Sequence, residues 1–360
     1  MLKKCLWYWY IFSLTVSLVL LVAVVFVGEF GCFLWAFLTW RIPDKSRDSL
    51  NLLLISDSQI PGYKGERGGI QGHITRSDTD WYLFKAFYLA LASFSPDAVI
   101  HLGDIFDEGS VATDEQYQEY KARHDKIFHI HDRSVKIYVA GDNDIGGEWS
   151  DILTEKKTLR FQQHFGPIND VVKLKAFQIV KINSASLLRR KPFKEERKIY
   201  NKTVDFINNL SSKLDKEKVS ILVGHVPIDE ISVKHDVQLR KLIRTMKPTY
   251  AFSGHLHEPD TVQHEFGIFT FTEYVVPTCS YRMGTKMMGA AVAVIGNDGS
   301  ITYSILPLPR RYSFLLAYLV CLCVSLAIPL PGVMIFVIRM LEKNLMGIKH
   351  SPEVMKLKDL

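Results

Sequence analysis

Cysteine is scarce in this chain, with five in 360 residues, and four of them (Cys5, Cys32, Cys321 and Cys323) fall in or beside long apolar runs. Cys279 stands alone in the polar body of the sequence, so no disulfide framework holds that part together and it must bury a core of its own. Charge of one sign is also lacking. The formal net charge of +6 is dispersed, and no basic stripe interleaved with aromatic residues occurs, which argues against nucleic acid as a partner. Internal repeats and low-complexity tracts are absent.

Hydrophobicity, by contrast, is concentrated at the two ends. Cys5 to Val27 carries no charge and exceeds the roughly 20 apolar residues a helix needs to cross hydrocarbon. Phe30 to Trp40, following Glu29, is too short to cross alone and is expected as an aromatic interfacial extension of that span. Tyr312 to Ile338 is again uncharged, broken only by Pro329, Pro331 and Gly332, which a transmembrane helix tolerates as a kink. The length of the first run and the lack of a small-x-small cleavage site favour an anchor over a signal peptide. The expected organisation is therefore a cytosolic N-terminus and span over 1–40, a globular domain over 41–311, a second span over 312–338 and a cytosolic tail over 339–360. Lysine and arginine flank both sides almost equally and do not orient it. Two other features do. Asn201-Lys-Thr and Asn209-Leu-Ser are glycosylation acceptors, and the terminal "KLKDL" places Lys356 and Lys358 as in a dilysine retrieval signal, which is read in the cytosol. The domain is thus expected in the lumen, as a glycoprotein.

Within it, five short apolar runs share a layout: "NLLLISD" ends at Asp57, "DAVIHLGD" at Asp104, "VKIYVAGD" at Asp142, "VSILVGH" at His225 and "TYAFSGH" at His255. Their length and unbroken hydrophobicity fit strands buried on both faces. Trp81, Phe84, Phe87, Tyr88 and Leu91 recur at helical spacing after Asp78-Thr-Asp80 as a start signal, and Tyr117, Tyr120, Ile127 and Phe128 predict a further helix. Strand, helix, strand is the arithmetic of an α/β sheet, whose ligands lie beyond the carboxyl ends of the strands, so all five polar termini are expected at one sheet edge. After His257, "FGIFTFTEYVV" and "AAVAVIGNDGSITYSIL", with a hairpin turn at Asn297-Asp-Gly, are expected as a second sheet packed on the first. Ser184 to Asn209 reads as a surface helix and loop.

Each polar terminus taken singly has an ordinary explanation as a cap or a satisfied core group. Together, Asp57, Asp104, Asp142, His225, His255 and His257 form a set of hard oxygens and imidazoles suited to manganese, iron or zinc. His255 and His257 would serve adjacent metals if the chain leaves its strand in an irregular turn.

In order along the chain, "DSQ", "GDIFDEG", "GDND", "GHVP" and "GHLH" resemble the motifs D-x-[HQ], GDxxDxG, GNHD, GHxP and GHxH of the calcineurin-like metallophosphoesterases, over Leu52 to about Leu306. That resemblance implies an α/β fold, a four-layer αββα sandwich, here flanked by an N-terminal and a C-terminal transmembrane helix. It also implies two divalent metal ions, Mn2+ first, with Fe or Zn as alternatives. By position Asp57 and His257 would hold the first ion, Asp104 both, and His225 and His255 the second. Gln59 stands where a ligand histidine is common, Asp142 replaces the ligand asparagine, and Asn143 replaces the histidine that protonates the leaving group. Asp144 is expected to orient the site, and Glu148 is a nearby acid.

With its two spans and dilysine end, the chain is further similar to the branch of that family which removes a side-branch ethanolamine phosphate from a mannose of GPI anchors. This would make GPI-anchored proteins the substrates, cargo receptors and the retrograde coat the other partners, and endoplasmic reticulum exit sites, the intermediate compartment and the cis-Golgi the location. Losing a general acid costs about 10²- to 10⁴-fold. Two alternatives follow: a catalytically impaired trafficking protein with a retained metal site, or a phosphoesterase for another lumenal substrate. Tyr63, Arg67, His73 and Trp81 are the candidates for a substrate pocket.

Overall fold

The apolar runs that end in an acid or a histidine are strands, and the first two are buried along their whole length: β1 (Leu50–Ile55) and β2 (Ala98–His101). The computed structural model describes residues 2–341 apart from 67, 131–133, 148–149, 189–191, 232–235, 336 and 339–340; Arg67, Glu148 and the tail with Lys356 and Lys358 lie outside the described residues. The remaining strands are β3 (Val135–Tyr138), β4 (Asp170–Leu174), β5 (Phe177–Lys181), β6 (Val219–Val223), β7 (Tyr250–Ser253), β8 (Asp260–Phe266), β9 (Phe269–Val275), β10 (Gly289–Ile295) and β11 (Ile301–Pro307). The helices are α1 (Leu2–Phe26), α2 (Cys32–Thr39), α3 (Gly69–Phe94), α4 (Asp114–Ile127), the single turn α5 (Asp142–Ile145), α6 (Glu155–Phe165), α7 (Arg197–Asn208), α8 (Val237–Met246) and α9 (Arg311–Ala327).

The motif strands do not share one sheet. One sheet runs β11-β10-β1-β2-β3 and the other β4-β5-β6-β7-β9-β8. Strands β1 to β3 are parallel in the first, and β5 to β7 are parallel in the second. The expectation of one late sheet is corrected too. Only β8 and β9 join the second sheet, whereas β10 pairs antiparallel with β1 and β11 with β10. All seven residues of β10 are buried, as an interior strand covered on both faces requires.

Alternation places Leu50, Leu52 and Leu54 of β1 between the sheets, in one apolar cluster with Phe177, Ile179, Ile221, Val223 and Phe252 of the opposing sheet. On the outer face of the first sheet, Ile55 meets Leu83, Ala86 and Phe87 of α3. On the outer face of the second, Val180, Leu222 and Ala251 pack with Ile207 of α7 and Leu239, Leu242 and Ile243 of α8. Helix, sheet, sheet and helix are thus the four layers. Cys279 is buried and unpaired.

Two helical expectations change. α3 begins at Gly69, not after Asp78-Thr-Asp80, because these acids serve distant partners: Asp78 accepts from the Tyr281 hydroxyl at 2.7 Å, and Asp80 takes the Arg123 guanidinium at 2.7 Å. Its buried face carries Tyr82, Leu83, Ala86, Phe87, Ala90, Leu91 and Phe94, while Trp81 and Tyr88 are exposed. Ser184 to Leu187 is a buried 3-10 turn, and only α7 in the 184–209 segment is the expected surface helix.

Residues 35–309 form one compact unit, and the described residues of 1–34 and from 310 onward another. Helix α1 passes through one π turn (Val27–Gly31) into α2, so that Trp7–Thr39, 33 residues, is one apolar helical stretch rather than a span with a separate interfacial segment. Glu29 does not break it because Arg311 pairs with its carboxylate at 2.7 Å and the Tyr318 hydroxyl donates to it at 3.0 Å. Arg311–Ile335, 25 residues, is the second helix long and apolar enough to cross a membrane.

Candidate metal centre

At the ends of β1, β2 and β7 the backbone turns sharply. Asp57, Gln59, Asp104, His255 and His257 have φ of 50°, 41°, 50°, 69° and 63°. Among the described residues eight non-glycine positions have positive φ, so five of the eight are expected metal ligands. Such conformations cost free energy and persist only where surrounding contacts fix them. Here the loops after β1 and β2 are zipped together, with the Asp57 amide donating to the Gly103 carbonyl at 3.2 Å and that of Gln59 to Asp104 at 2.9 Å. Close approach depends on glycine at two motif positions. A Cβ at Gly103 would come within 2.5 Å of the His225 ring, and one at Gly141 would collide with the Asp104 carboxylate.

The strand ends gather two clusters of candidate ligand atoms: Asp142, His225 and His255 in one, and Asp57, Asp104 and His257 in the other. In the first, Asp142 Oδ1 is 3.1 Å from His225 Nε2 and 3.2 Å from His255 Nδ1. In the second, Asp57 Oδ1 lies 3.5 Å from His257 Nε2, and the Gln59 amide is 3.1 Å from the same nitrogen. Asp104 faces both, since its Oδ1 is 3.4 Å from His225 Nε2 and its Oδ2 3.4 Å from the Gln59 amide. The Leu102 carbonyl, 2.7 Å away, accepts from His225 Nδ1–H, which turns Nε2 toward the carboxylates. Side-chain exposure is 19% at His255 and 29% at His257 but no more than 4% at Asp57, Asp104, Asp142 and His225, so the site opens past the GHLH loop.

Three buried carboxylates this close repel one another. Burial, with the charges of Asp142, Asp57 and Asp144 and against the pull of His225, drives Asp104 well above the ordinary carboxylate range. Burial alone would depress His225, but Asp104, Asp142 and Asp57 overcome it and hold the imidazole well above its usual value. Asp142 is lowered: burial opposes this, and the hydrogen bonds of His225 and His255 prevail. Asp57 is lowered against burial by His257 and His225. The cluster thus demands positive charge. Asp57 Oδ1 is a buried oxygen with no hydrogen-bond partner among the described residues, as a carboxylate reserved for a cation would be. The donor set, carboxylate and imidazole with one amide, suits divalent first-row metals.

Asn143 is half-buried at the edge of this site. Its Nδ2 donates to Asp104 Oδ2 at 2.8 Å and its backbone amide to Oδ1 at 3.0 Å. Asp144 is fully buried and accepts from the amides of Gly141, Ile105 and Phe106 at 3.0, 3.3 and 3.1 Å, so it ties the loops after β2 and β3 together. Burial raises its carboxyl to about 6 despite the amide donors. The pocket candidates are not drawn in: Tyr63 gives its hydroxyl to Glu119 and its ring to Arg76, and His73 and Trp81 lie on the exposed side of α3.

Three further residues position the site and were not singled out in the sequence. Ser184 Oγ accepts the backbone amides of His225 and Val226, both at 2.9 Å. Glu273 on β9 accepts from Ser253 Oγ at 2.7 Å, from His264 Nε2 at 2.8 Å and from the Ile228 amide at 3.2 Å, which anchors the end of the GHVP loop. Thr278 donates from Oγ1 to the Asp57 carbonyl at 2.7 Å. A lone acid within the apolar run "TFTEYVV" was the one available signal, for Glu273.

The family model for calcineurin-like phosphoesterases matches residues 50–259. A metallophosphoesterase 1 homolog of Drosophila melanogaster is 26% identical over 318 residues, covering 77% of this chain and 81% of that protein. Metallophosphoesterase 1 of Mus musculus is 27% identical over 256 residues, covering 60% of this chain and 63% of its own length. Among solved structures, a dimetal phosphatase from Danio rerio superposes with a TM-score of 0.46 at 11% identity, covering 71% of this chain and 96% of that one.

Proposed function

The chain belongs to the calcineurin-like phosphoesterase family and is a metal-dependent phosphoesterase; from that premise we propose that it is a phosphodiesterase that removes a side-branch ethanolamine phosphate from a mannose of GPI anchors. Its globular domain would face the lumen of the early secretory pathway, between endoplasmic reticulum exit sites and the cis-Golgi. The observation that carries the reading is the pair of ligand clusters meeting at Asp104.

Asp57, Gln59, Asp104 and His257 would hold one ion and Asp104, Asp142, His225 and His255 the other. Divalent ions, manganese first, supply activation of water and neutralisation of phosphoryl charge when bound. The chain does the rest. Glycine at 103 and 141 lets the ligand loops touch, Asp144 and Ser184 fix their amides, and the burial of four ligands excludes competing water on the core side. The Asn143 amide donates to Asp104 and holds no acidic proton.

Elemental analysis of the purified full chain should give about two divalent ions per chain, and Asp104→Asn should lose most of both, since one carboxylate faces both clusters. Release of phosphoethanolamine from an ethanolamine-phosphate mannoside should depend on those ions. Wild-type protein without stoichiometric metal would sink the reading. Asn143 favours one second reading, a trafficking protein in which the metal site stabilises the fold and GPI-linked cargo is sorted without turnover. That reading expects bound metal and no hydrolysis of any phosphodiester.

A further inference from the structure

Among the described residues one helix face is left uncovered. Ile70, Ile74, Trp81 and Tyr88 on α3 are 81%, 60%, 45% and 60% exposed, at spacings of four and seven residues that stack them in a single stripe. At 1.5 Å per residue the stripe is about 27 Å long. Trp81 stacks on Phe84, Phe84 on Tyr88, and Lys85 Nζ lies 5.4 Å from the Trp81 ring centre. The core of the unit is on the opposite face of the helix, so packing does not account for these side chains.

The polypeptide enters and leaves the unit beside this helix. The Tyr82 hydroxyl, one residue from Trp81, donates to the carbonyl of Pro309 at 2.8 Å, and the apolar helix α9 begins two residues later, at Arg311. Trp40, at the end of the first apolar stretch, donates from Nε1 to the carbonyl of Pro307 at 2.8 Å. The metal centre is close in the chain of contacts as well. Tyr281, edge-on to Tyr82 and bonded to Asp78, is three residues from Thr278, which holds the Asp57 carbonyl. The Lys286 amide donates to Glu258, next to His257, and two residues on Met288 accepts from Leu308 at 2.9 Å. Exposed Met287 lies between.

We propose that the α3 stripe, with Met287, is a docking surface for the headgroup layer of the bilayer, and that it holds the metal centre against the membrane to meet a lipid-anchored substrate. This rests on the membrane-anchored reading above. Tryptophan and tyrosine with an adjacent lysine are the residues that settle at the headgroup level, their rings in the apolar boundary and the ammonium among lipid phosphates. Both chain exits, at Trp40 and Pro309, continue into helices of membrane-spanning length, so the chain itself would tether this end of the domain within a few residues of the bilayer those helices cross. Desolvating four large apolar side chains there replaces exposure that a water-facing helix would not retain.

The test uses the full chain in phosphatidylcholine–phosphatidylserine vesicles, with a benzophenone amino acid placed at Ile74, at Tyr88 or, as control, at Ile268, which is 96% exposed between β8 and β9. On irradiation the first two positions should give phospholipid adducts at about tenfold the yield of the third. A second arm compares Ile74→Glu with Tyr88→Glu, combined, against wild type. Hydrolysis of a lipid-linked ethanolamine-phosphate mannoside embedded in the vesicle should fall about tenfold, and that of soluble bis(4-nitrophenyl) phosphate should be unchanged. Adducts to protein, lipid adducts no more frequent than at Ile268, or equal loss on both substrates would overturn the proposal. Wild type that hydrolyses neither substrate refutes the phosphodiesterase reading instead, and the adduct pattern still decides where α3 sits.

Discussion

Asn143 places an amide at the edge of the metal centre, 2.8 Å from Asp104, where a proton donor would serve a poor leaving group. An asparagine has no proton to give, so the shortfall should be selective. Esters with phenolate leaving groups need no protonation and should be cleaved far faster than diesters of a sugar hydroxyl. Asn143→His should raise turnover of the mannose diester about 10²-fold or more while changing an aryl ester little, because only the alkoxide needs the acid. Steady-state kinetics on both substrates checks this. Acceleration of neither means that the proton comes from elsewhere or that the chain does not turn over. Asp144 does not fill the gap, since its carboxylate is spent on three backbone amides.

Among the elements, the ligand-bearing ones were legible because a strand that ends in a charged residue announces a site. Asp57, Asp104, Asp142, His225 and His255 each end such a run, and left-handed turns at Asp57, Asp104 and His255 help bring them together. Which sheet each strand joins was not legible. Both sheets deliver their strands to the same end of the sandwich, so the polar termini of β3 and β6 carry no mark of their separation. The short, half-exposed β4 that opens the second sheet offered no apolar run. The start of α3 was misread because Asp78 and Asp80 look like caps, yet their partners Tyr281 and Arg123 are 203 and 43 residues away in sequence. One element-level feature had no sequence signal. At the end of β2, His101 is buried with neither ring nitrogen bonded among the described residues, 4.8 Å from the Tyr138 ring and 5.5 Å from buried His124 on α4. Burial, then His124 and Lys136, lowers the His101 pKa well below its ordinary value, and burial lowers His124 although Asp125 opposes it. Above the unfolded histidine value of about 6.5 neither state is protonated; below it the unfolded chain binds protons that the folded chain refuses, so stability falls with pH. Each unit of depression corresponds to about 1.4 kcal/mol. His101→Phe, which keeps the ring packing, should flatten the decline of the melting temperature between about pH 6.5 and pH 5. A wild-type slope left intact by the substitution would show that other groups govern acid sensitivity.

For the molecule as a whole, the open question of orientation turns on α7 and the tail. Asn201 and Asn209 are both exposed on or beside α7, so a glycan at either position would meet no packed surface. Thr203 of the first acceptor is fully buried and bonded to Asn169 and Ser186, so that site must be modified before α7 docks, whereas Asn209 sits at the helix end beside an exposed Ser211. Asn209→Gln should therefore remove more of the endoglycosidase-sensitive mass than Asn201→Gln. If both membrane-length helices span, the two ends of the chain share the side opposite the domain, and Lys356 and Lys358 are cytosolic when the domain is glycosylated. Lys356→Ala with Lys358→Ala should then move the protein onward from the early secretory pathway and convert its glycan to an endoglycosidase-resistant form. The two readouts are separable: glycan with unchanged location leaves the orientation standing and removes the retrieval signal. An unglycosylated domain cleaved by protease from the cytosolic side would reverse the topology and with it the lumenal substrate.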